Sequence, residues 1–369
     1  MLVDPALSES AGTLSPAEGR AVFYDLSRDE LATFLAERTG STTYRSTQIF
    51  EWVYGKGVTD FAQMSNVARS MREQCRGLFE FPEAKILSRQ ISRDGTRKYL
   101  FEVSPGRVVE SVMIKQPARM TLCVSSQIGC AMKCAFCRTG TMGLKGNLRT
   151  SEIIAQVLGV IKDAQNFGDK FSNMVFMGMG EPLHNLENVA RAVRILTDHF
   201  GLSIPGRKIT VSTVGLVPAI QKFGAMGLDA NLAVSLNATT DQVRSKIMPI
   251  NKRFPIDVLL QTLEELPRRS RRKITIEYVM LAGVNDSDDD LRRLPKLLRK
   301  IPSKLNLIPY NTNADLGFDA PERAEVMRWH KWLNDNGMDT TVRWSKGQDI
   351  QAACGQLAVE KETAAVALA

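Results

Sequence analysis

The sequence predicts an α/β protein with a partial (β/α)6 barrel, a small N-terminal helical domain and a β-hairpin extension. The main observation is that short apolar strands alternate with longer amphipathic helices over residues 119–345, which is typical of parallel βα units. A stretch with helical spacing lies ahead of that region, and a stretch rich in β-branched residues lies between the two. The chain therefore divides into an accessory region and a large α/β domain.

The N-terminal region is predicted to hold a leader and a helical domain. Residues 1–27 are small, polar and proline-containing without a signal-peptide pattern, so we expect a flexible leader on a cytoplasmic protein. In residues 28–80, apolar side chains such as Ile49, Trp52 and Val53 recur at helical spacing around a glycine break. This spacing predicts a helical module.

The rest of the chain is predicted to be a hairpin, a barrel and a tail. Residues 81–118 contain two β-branched runs around an Asp94-Gly95 turn, which predicts hairpin strands. In residues 119–345 we expect strands at TLCVSS, NMVFMG, KITVST, NLAVSL, KITIEYVML and KLNLIP, with a last strand at DTTVRW. Such units wind into a full or partial barrel or a doubly wound sheet, which bind ligands at the carboxyl ends of their strands. Residues 346–369 form a C-terminal segment with a flexible tail.

Composition and charge limit the class of protein. Hydrophobic residues make up 44% and charged residues 24% of the chain, as in ordinary soluble proteins. No apolar run reaches the roughly 18 residues that a membrane span needs, so no membrane association is expected. Lys and Arg outnumber Asp and Glu by 48 to 40, which gives a net charge of +8 and indicates an anionic partner such as nucleic acid.

The sequence GCAMKCAFC brings together Cys130, Cys134 and Cys137 at C-x3-C-x2-C spacing. In a cytoplasmic protein, clustered cysteines indicate metal binding or redox chemistry. Three thiolates suit a cubane iron–sulfur cluster with one iron left open. A structural zinc site with Cys123 as fourth ligand stays an alternative. Cys75, on a basic helix, is predicted to be inert.

Phe136 stands directly before the third cysteine, and the whole motif follows the first strand of the βα units. This arrangement resembles the radical S-adenosylmethionine superfamily. The segments LCVSSQIGC, MGMGEPL, VSTVG, IMPINK, LIPYN, DIQAACGQL and FEWVYGKGVTDF further resemble the RlmN and Cfr family of RNA adenine methyltransferases, from about residue 28 to 358. The resemblance implies a radical SAM partial barrel, a [4Fe–4S] cluster on the three cysteines, and two S-adenosylmethionine molecules per turnover.

The resemblance also implies roles for residues outside the cysteine motif. One S-adenosylmethionine methylates Cys354, the second yields a radical that takes a hydrogen from that methyl group, and the methylene radical adds to adenine. Cys123 then removes the ring proton and closes a disulfide with Cys354. Glu110 aligns with a glutamate assigned as proton acceptor, although a lone strand glutamate otherwise faces solvent. We expect Lys346 and backbone amides near Cys354 to favour its thiolate.

The family pattern assigns contacts with S-adenosylmethionine to seven residues that follow strands: Gly180, Glu181, Ser212, Ser235, Leu236, Asn237 and Asn311. Gly178 and Gly180 are expected to let the backbone approach a ligand closely. For any one serine or asparagine, a turn or cap role is the alternative. Asn237 stands where the family often has histidine, and residues 311–320 replace a stretch that is usually proline-rich.

The implied partners are 23S rRNA, tRNA as a second substrate, and an unidentified reductase or flavodoxin-type electron donor, with the protein a monomer. The helical domain would contact RNA through basic residues at Arg45, Lys56, Arg69 and Arg72. Two alternatives are kept. One is Cfr-type methylation of adenine carbon 8 in 23S rRNA, and the other is a zinc-stabilised RNA-binding protein without catalytic activity.

Overall fold

The computed structural model describes residues 19–41, 43–267, 272–313 and 315–359. Most of the predicted leader and the end of the predicted tail lie outside the described residues. The part of the chain described contains no helix with the length and apolar character needed to cross a bilayer.

The N-terminal domain begins earlier than predicted. Strand β1 (Ala21–Val22) pairs in parallel with β2 (Phe79–Glu80). Phe23, which follows β1, is fully buried and its ring lies 5.3 Å from the ring of Phe79. The predicted boundary at residue 28 is therefore too late, because a pairing between residues nearly sixty positions apart leaves no local pattern in the sequence.

Three helices complete this domain: α1 (Arg28–Thr39), α2 (Thr43–Phe50) and α3 (Arg69–Leu78). Helix α1 begins at a capping box, in which Ser27 and Glu30 satisfy each other's backbone amides. Helix α2 runs into a π-helical turn at Glu51–Gly55. The domain docks on the barrel through ion pairs of Arg28 with Asp198 at 2.8 Å and of Glu30 with Arg191 at 2.9 Å.

The remaining elements follow in chain order and keep the alternation that the sequence predicts. They are β3 (Lys85–Ile91), β4 (Arg97–Ser104), β5 (Arg107–Gln116), β6 (Arg119–Cys123), β7 (Gln127–Gly129), α4 (Arg138–Thr141), β8 (Leu144–Asn147), α5 (Thr150–Gln165), β9 (Asn173–Phe176), α6 (Leu186–Thr197), β10 (Ile209–Thr213), α7 (Val217–Ala225), β11 (Asn231–Ser235), α8 (Asp241–Ile247), α9 (Ile256–Glu265), β12 (Ile274–Met280), α10 (Asp288–Leu298), β13 (Ser303–Pro309), α11 (Arg323–Asp335) and β14 (Thr340–Val342).

Ten strands form one sheet in the order β14-β13-β12-β11-β10-β9-β6-β5-β4-β3. From β6 to β14 neighbouring strands are parallel, as in a partial barrel of βα units. Strands β5, β4 and β3 continue the same sheet in antiparallel pairing. The hairpin extension is thus an edge of the barrel sheet, because β5 pairs with β6 and places Val112 opposite Cys123.

Arg244 of α8 holds the loops at the carboxyl ends of β10 and β11. It is fully buried, and its guanidinium donates to the carbonyl oxygens of Val214 at 2.7 Å and Leu236 at 2.9 Å. Further bonds reach the carbonyl oxygen of Ser235 at 3.1 Å and the side-chain oxygen of Asn251 at 2.9 Å. Burial lowers the pKa of Arg244 to about 10, so it stays charged at neutral pH. One side chain therefore satisfies acceptors on several separate loops.

We predict that Arg244→Ala lowers the free energy of unfolding by about 3–5 kcal/mol, because the buried acceptors lose their donor together. Denaturant unfolding followed by circular dichroism measures the change. Arg292→Ala is the control, since its side chain is 64% exposed and makes only surface ion pairs; we expect a change within about 0.5 kcal/mol. If both variants lost the same free energy of unfolding, the buried hydrogen bonds of Arg244 would not be the cause.

Candidate active site

The three motif cysteines lie on a closed loop, residues 130–143, which we call the cluster loop. Its ends are joined because β7 and β8 pair in antiparallel. Gly129 ends β7 with a φ of 72°, and a Cβ there would lie 1.8 Å from the carbonyl oxygen of Gly143. Only glycine fits this position. The amide of Ala135 also donates to the carbonyl of Ile247 at 2.9 Å, which ties the loop to the end of α8.

The cluster loop buries its thiols, and this burial has an electrostatic cost. Burial raises the pKa of Cys130 to about 12 and the pKa of Cys134 well above its usual value, and each nearby thiolate charge adds to the rise. The pKa of Cys137 is also raised by burial, although amides of the loop oppose the shift. Coordination to iron removes this cost, because a metal-bound thiol is deprotonated outright. The donor set therefore fits an iron–sulfur cluster.

The spacing of these side chains does not fit a preformed single-ion site. Among the described residues, no three Cys, His, Asp or Glu side chains converge on one point as the ligands of a single ion do. In a cubane cluster each thiolate binds its own iron, so such convergence is not needed. A structural zinc site requires four converging ligands.

The two glycines after β9 lie in close contact with the segment after β6, which leaves no room for a Cβ. A Cβ on Gly178 would lie 2.7 Å from the carbonyl oxygen of Val124, and one on Gly180 would lie 2.6 Å from Gln127. The amide of Glu181 donates to the Gln127 side chain at 2.8 Å. The loop after β9 is therefore closed against the segment after β6.

Glu181 is buried and uses both carboxylate oxygens. It accepts hydrogen bonds from the amides of Leu183 at 3.1 Å and Val214 at 2.9 Å. Burial raises the pKa of Glu181 to about 7, and the hydrogen bonds oppose that rise. The side chain of Thr213 also hydrogen-bonds the carboxylate. A cationic group bound beside it would favour its ionised form.

Asn237 follows β11 in a left-handed conformation, with a φ of 55°. Asparagine tolerates this conformation better than most residues. Its side-chain oxygen accepts from the amide of Val279 at 2.8 Å, and its carbonyl accepts from Asn285 at 2.7 Å. Asn237 thus joins the ends of β11 and β12, which gives a structural reason for asparagine here.

One cavity, which we call the cysteine cavity, lies at the carboxyl ends of the parallel strands. Its empty space, counted out into the open mouth, is about 930 Å³. The lining includes all three cysteines of the cluster loop and Cys354. It also includes five residues predicted to contact S-adenosylmethionine: Gly180, Glu181, Ser235, Asn237 and Asn311.

Four predicted site residues are not among the described residues that line this cavity: Cys123, Glu110, Ser212 and Leu236. Leu236 is buried, its amide donates to the carbonyl of Glu277 at 3.0 Å and its carbonyl accepts from Arg244. Ser212 is a partly buried residue of β10. The structure thus gathers most, but not all, of the predicted residues at one mouth.

Cys354 is held in the cavity by contacts to two separate regions. We call residues 346–359 the carrier segment. The Asn311 side chain donates to the carbonyl of Cys354 at 3.0 Å, and the amide of Arg138 donates to the carbonyl of Gly355 at 2.8 Å. Thr139 donates its hydroxyl to the carbonyl of Leu357 at 2.6 Å. The cluster loop and the end of β13 therefore fix the backbone on either side of the thiol.

Cys354 shares the cavity lining with the three cysteines of the cluster loop. Burial raises the pKa values of Cys137 and Cys123, and Cys354 adds a smaller contribution to each. Burial brings the pKa of Cys123 to about 12. The cation that faces both Cys354 and Cys123 is Arg343, whose own pKa is raised chiefly by Cys354.

Arg343 takes the place that the sequence suggested for Lys346. The amide of Gly347, which was considered for the same role, donates to the side chain of Asp94 at 3.0 Å. Arg343 directly follows β14, so a strand end directs it into the cavity. Sequence analysis missed it, together with Glu277 of β12. The signal in both cases was a charged residue within or next to an apolar strand.

Glu110 lies beside a second cavity, under the carrier segment. Its carboxylate forms an ion pair with Lys98 at 3.1 Å and accepts from the amide of Ala358 at 2.9 Å. Burial raises the pKa of Glu110, and Lys98 opposes the rise. This second cavity is lined by residues of β3, β4 and β5 and by Ile350, Gln351 and Ala358. The Glu110 carboxylate thus fastens the carrier segment to the hairpin edge.

Comparison with known proteins identifies the chain. Residues 124–294 match the radical SAM superfamily, and residues 23–80 match the ribosomal RNA large subunit methyltransferase N-terminal domain. The crystal structure of a radical SAM methyltransferase from Sphaerobacter thermophilus has a TM-score of 0.83 and 39% identity, and covers 92% of this chain and 99% of its own. The fold and the three-cysteine loop thus define a radical SAM enzyme.

Two curated proteins narrow this class. The dual-specificity RNA methyltransferase RlmN of Geobacter sulfurreducens is 49% identical over 332 residues, 90% of each chain. The dual-specificity RNA methyltransferase RlmN 2 of Myxococcus xanthus is 46% identical over 360 residues, 95% of this chain and 94% of its own. The chain belongs to the RlmN family. The predicted fold class and family are confirmed, and the [4Fe–4S] cluster and S-adenosylmethionine are its cofactors.

We predict that the affinity for S-adenosylmethionine rises as the pH increases toward about 7, the pKa of Glu181 in the free protein. The raised pKa leaves the carboxyl protonated below that value, so binding of an ammonium group should weaken by up to about tenfold per pH unit. Equilibrium dialysis of the reconstituted protein measures this. Glu181→Gln should abolish the dependence of this affinity on pH. Glu187→Gln is the control, because Glu187 is exposed, and it should keep the pH dependence. A flat profile in the unchanged protein would contradict the prediction.

Proposed function

We propose that this protein methylates carbon 2 of adenosine in 23S rRNA and in tRNA, with Cys354 as the carrier of the methyl group. The observation that carries the proposal is that Cys354 lines the same cavity as Cys130, Cys134 and Cys137, with its backbone held by Asn311 and by the cluster loop. A carrier must meet the cofactors first and the RNA base afterwards. A thiol that lines the open cavity suits both encounters.

The proposed site assigns three tasks to the cavity. Cys130, Cys134 and Cys137 hold the cluster. The contacts of S-adenosylmethionine are Gly180, Glu181, Ser235, Asn237 and Asn311 from the cavity wall, with Ser212 and Leu236 from the adjoining strands. When bound, the cluster and S-adenosylmethionine supply the methyl group and the 5'-deoxyadenosyl radical. The protein orients the carrier thiol and excludes water around it.

Cys123 is proposed to take the ring proton and to release the product by forming a disulfide with Cys354. Burial keeps Cys123 as a thiol at neutral pH because its pKa is raised to about 12. Arg343 is the cation that opposes this rise. Formation of the Cys123 thiolate is therefore proposed to depend on Arg343.

The proton-acceptor role of Glu110 stays a prediction. Its contacts with Lys98 and the amide of Ala358 support a second task, which is to hold the carrier segment. Both tasks depend on the same carboxylate.

RNA binding is proposed to involve the N-terminal domain. Lys56 lies 3.8 Å from the centre of the Trp52 ring, where a cation and an aromatic surface stand together. Unpaired nucleotides stack on such surfaces, and the cation adds a phosphate contact. Arg69 pairs with Glu73 at 2.9 Å, and Arg72 donates to the carbonyl of Ala62 at 2.6 Å, so both are partly engaged within the domain.

The remaining partners are proposals of the same kind. We propose that the protein acts as a monomer and receives electrons from a reductase or flavodoxin-type donor. The zinc-stabilised RNA-binding alternative is not kept, since the chain belongs to an enzyme family. Methylation of adenine carbon 8 in 23S rRNA is the alternative to methylation of carbon 2.

The proposed function is tested in cells that lack the protein and are restored with the unchanged chain or with Cys354→Ala. We expect mass spectrometry of digested RNA to show 2-methyladenosine in 23S rRNA and tRNA only with the unchanged chain. The variant should keep its iron content, because Cys354 is no cluster ligand. Methylation at carbon 8, or methylation by Cys354→Ala, would refute the proposal.

Cys123→Ala should leave the protein joined to RNA through Cys354, because the group that removes the ring proton is missing. Denaturing gel electrophoresis with labelled RNA detects the joined species. Cys75→Ala is the matched control: Cys75 is fully buried in α3, and burial raises its pKa to about 12 as it does for Cys123. Normal turnover and free RNA with Cys123→Ala would exclude its proposed role.

A further inference from the structure

Two charged residues line the cysteine cavity and have no binding task in the proposed chemistry. They are Glu277, in the middle of β12, and Arg343, directly after β14. Charged side chains inside a cavity are costly unless a partner meets them. Their contacts show which kind of partner is missing.

Glu277 has one carboxylate oxygen without a hydrogen bond. The side chain is only 4% exposed. Oε1 accepts from the Asn306 side chain at 3.1 Å, whereas Oε2 is shielded from solvent and has no partner among the described residues. An unpaired buried acceptor costs about 1–3 kcal/mol, and more for a charged group. Oε2 is therefore suited to accept a hydrogen bond from a ligand.

Arg343 offers donors in the same cavity. Its one described side-chain hydrogen bond goes to the sulfur of Met177 at 3.0 Å, and a thioether is a weak acceptor. Most of its five N–H donors thus stay available to a ligand in the cavity that Glu277 and Cys354 also line.

An acceptor next to a donor is the complement of one edge of adenine. The 6-amino group donates and the neighbouring ring nitrogen accepts. Guanine presents the opposite order at its 6-oxo group and N1–H, so it would place an oxygen against the carboxylate. A carboxylate and a guanidinium that bind these two groups in one cavity therefore select adenine over guanine.

We propose that Glu277 and Arg343 recognise the target adenine, with Glu277 Oε2 accepting from the 6-amino group and Arg343 donating to N1. This inference rests on the proposed function, since it takes an adenine in RNA as the substrate. On that edge of adenine the order is amino group, N1, carbon 2. An adenine bound in this way presents carbon 2 inside the cavity that Cys354 also lines.

S-adenosylmethionine also contains adenine, and it is the other source of the same chemistry. The RNA base is favoured because Glu277 and Arg343 line the same cavity as Cys354, the thiol proposed to carry the methyl group to the base. The two sources are distinguished by methylation of Cys354, which uses S-adenosylmethionine without RNA. Glu277 variants should methylate Cys354 normally if Glu277 faces the RNA.

The test compares RNA carrying adenosine with RNA carrying purine riboside, which lacks the 6-amino group, at the target position. For the unchanged protein we expect kcat/KM to favour adenosine by at least about tenfold, as for a hydrogen bond to a charged group. Glu277→Ala should bring that ratio close to one by losing rate on adenosine alone. Glu277→Gln, which keeps an acceptor oxygen and the shape of the side chain, should give an intermediate ratio.

Glu152→Gln is the matched control, because Glu152 is equally buried but binds Arg107, Ser104 and the amide of Arg149 outside the cavity. It should lower stability and leave the preference for adenosine unchanged. An unchanged ratio in both Glu277 variants would overturn the proposal. Loss of Cys354 methylation in Glu277→Gln would also overturn it, since Glu277 would then serve the cofactor.

A second pair of RNAs identifies the edge and separates this inference from the proposed function. Replacement of the target by 1-deazaadenosine should lower kcat/KM by about tenfold, whereas 7-deazaadenosine should be accepted. If kcat/KM falls only with 7-deazaadenosine, and the product of the normal RNA carries its methyl group on carbon 8, the proposed function is refuted. Recognition of the 6-amino group by Glu277 would still hold in that case. If the unchanged protein transfers no methyl group, binding decides the inference. Fluorescence anisotropy then compares the affinity of the protein for RNA that carries adenosine with its affinity for RNA that carries purine riboside.

Discussion

The buried guanidinium of Arg244 is the interaction on which the cavity depends. Strand ends in a parallel sheet leave loops with unpaired carbonyl groups, and these must be satisfied where solvent is excluded. Arg244 reaches carbonyls on the loops after β10 and β11 and the side chain of Asn251. The loop after β10 and the loop after β11, which carries Asn237, therefore share one rigid support.

The electrostatics of the cavity follow from that rigid, dry environment. Burial raises the pKa of each cysteine in the cluster loop, so their thiolates need a cationic partner. Arg343 supplies positive charge to the same cavity. The cavity thus combines the clustered thiols with a guanidinium and the thiol of Cys354.

Much of the barrel could be predicted because its strands are buried on both faces and read as short apolar runs. β11 and β12 lie within the predicted segments NLAVSL and KITIEYVML. Pairings between distant segments could not be predicted, which is why β1 and the continuity of β5 with β6 were missed. The choice of Arg343 over Lys346 was missed for a related reason. Local sequence does not tell which of two nearby cations a strand end directs inward.

The carrier segment is fastened by residues that are synthesised long before it. Asp349 accepts from Ser92, 257 residues earlier, and Ala358 donates to Glu110, 248 residues earlier. Since domains fold during synthesis, the cluster loop and most of the barrel can form before Cys354 leaves the ribosome. Closure of such distant contacts is a late step, because loop-closure entropy opposes it. A partly synthesised chain would thus have its cofactor site before its carrier, and coupling between the two arises only in the completed fold.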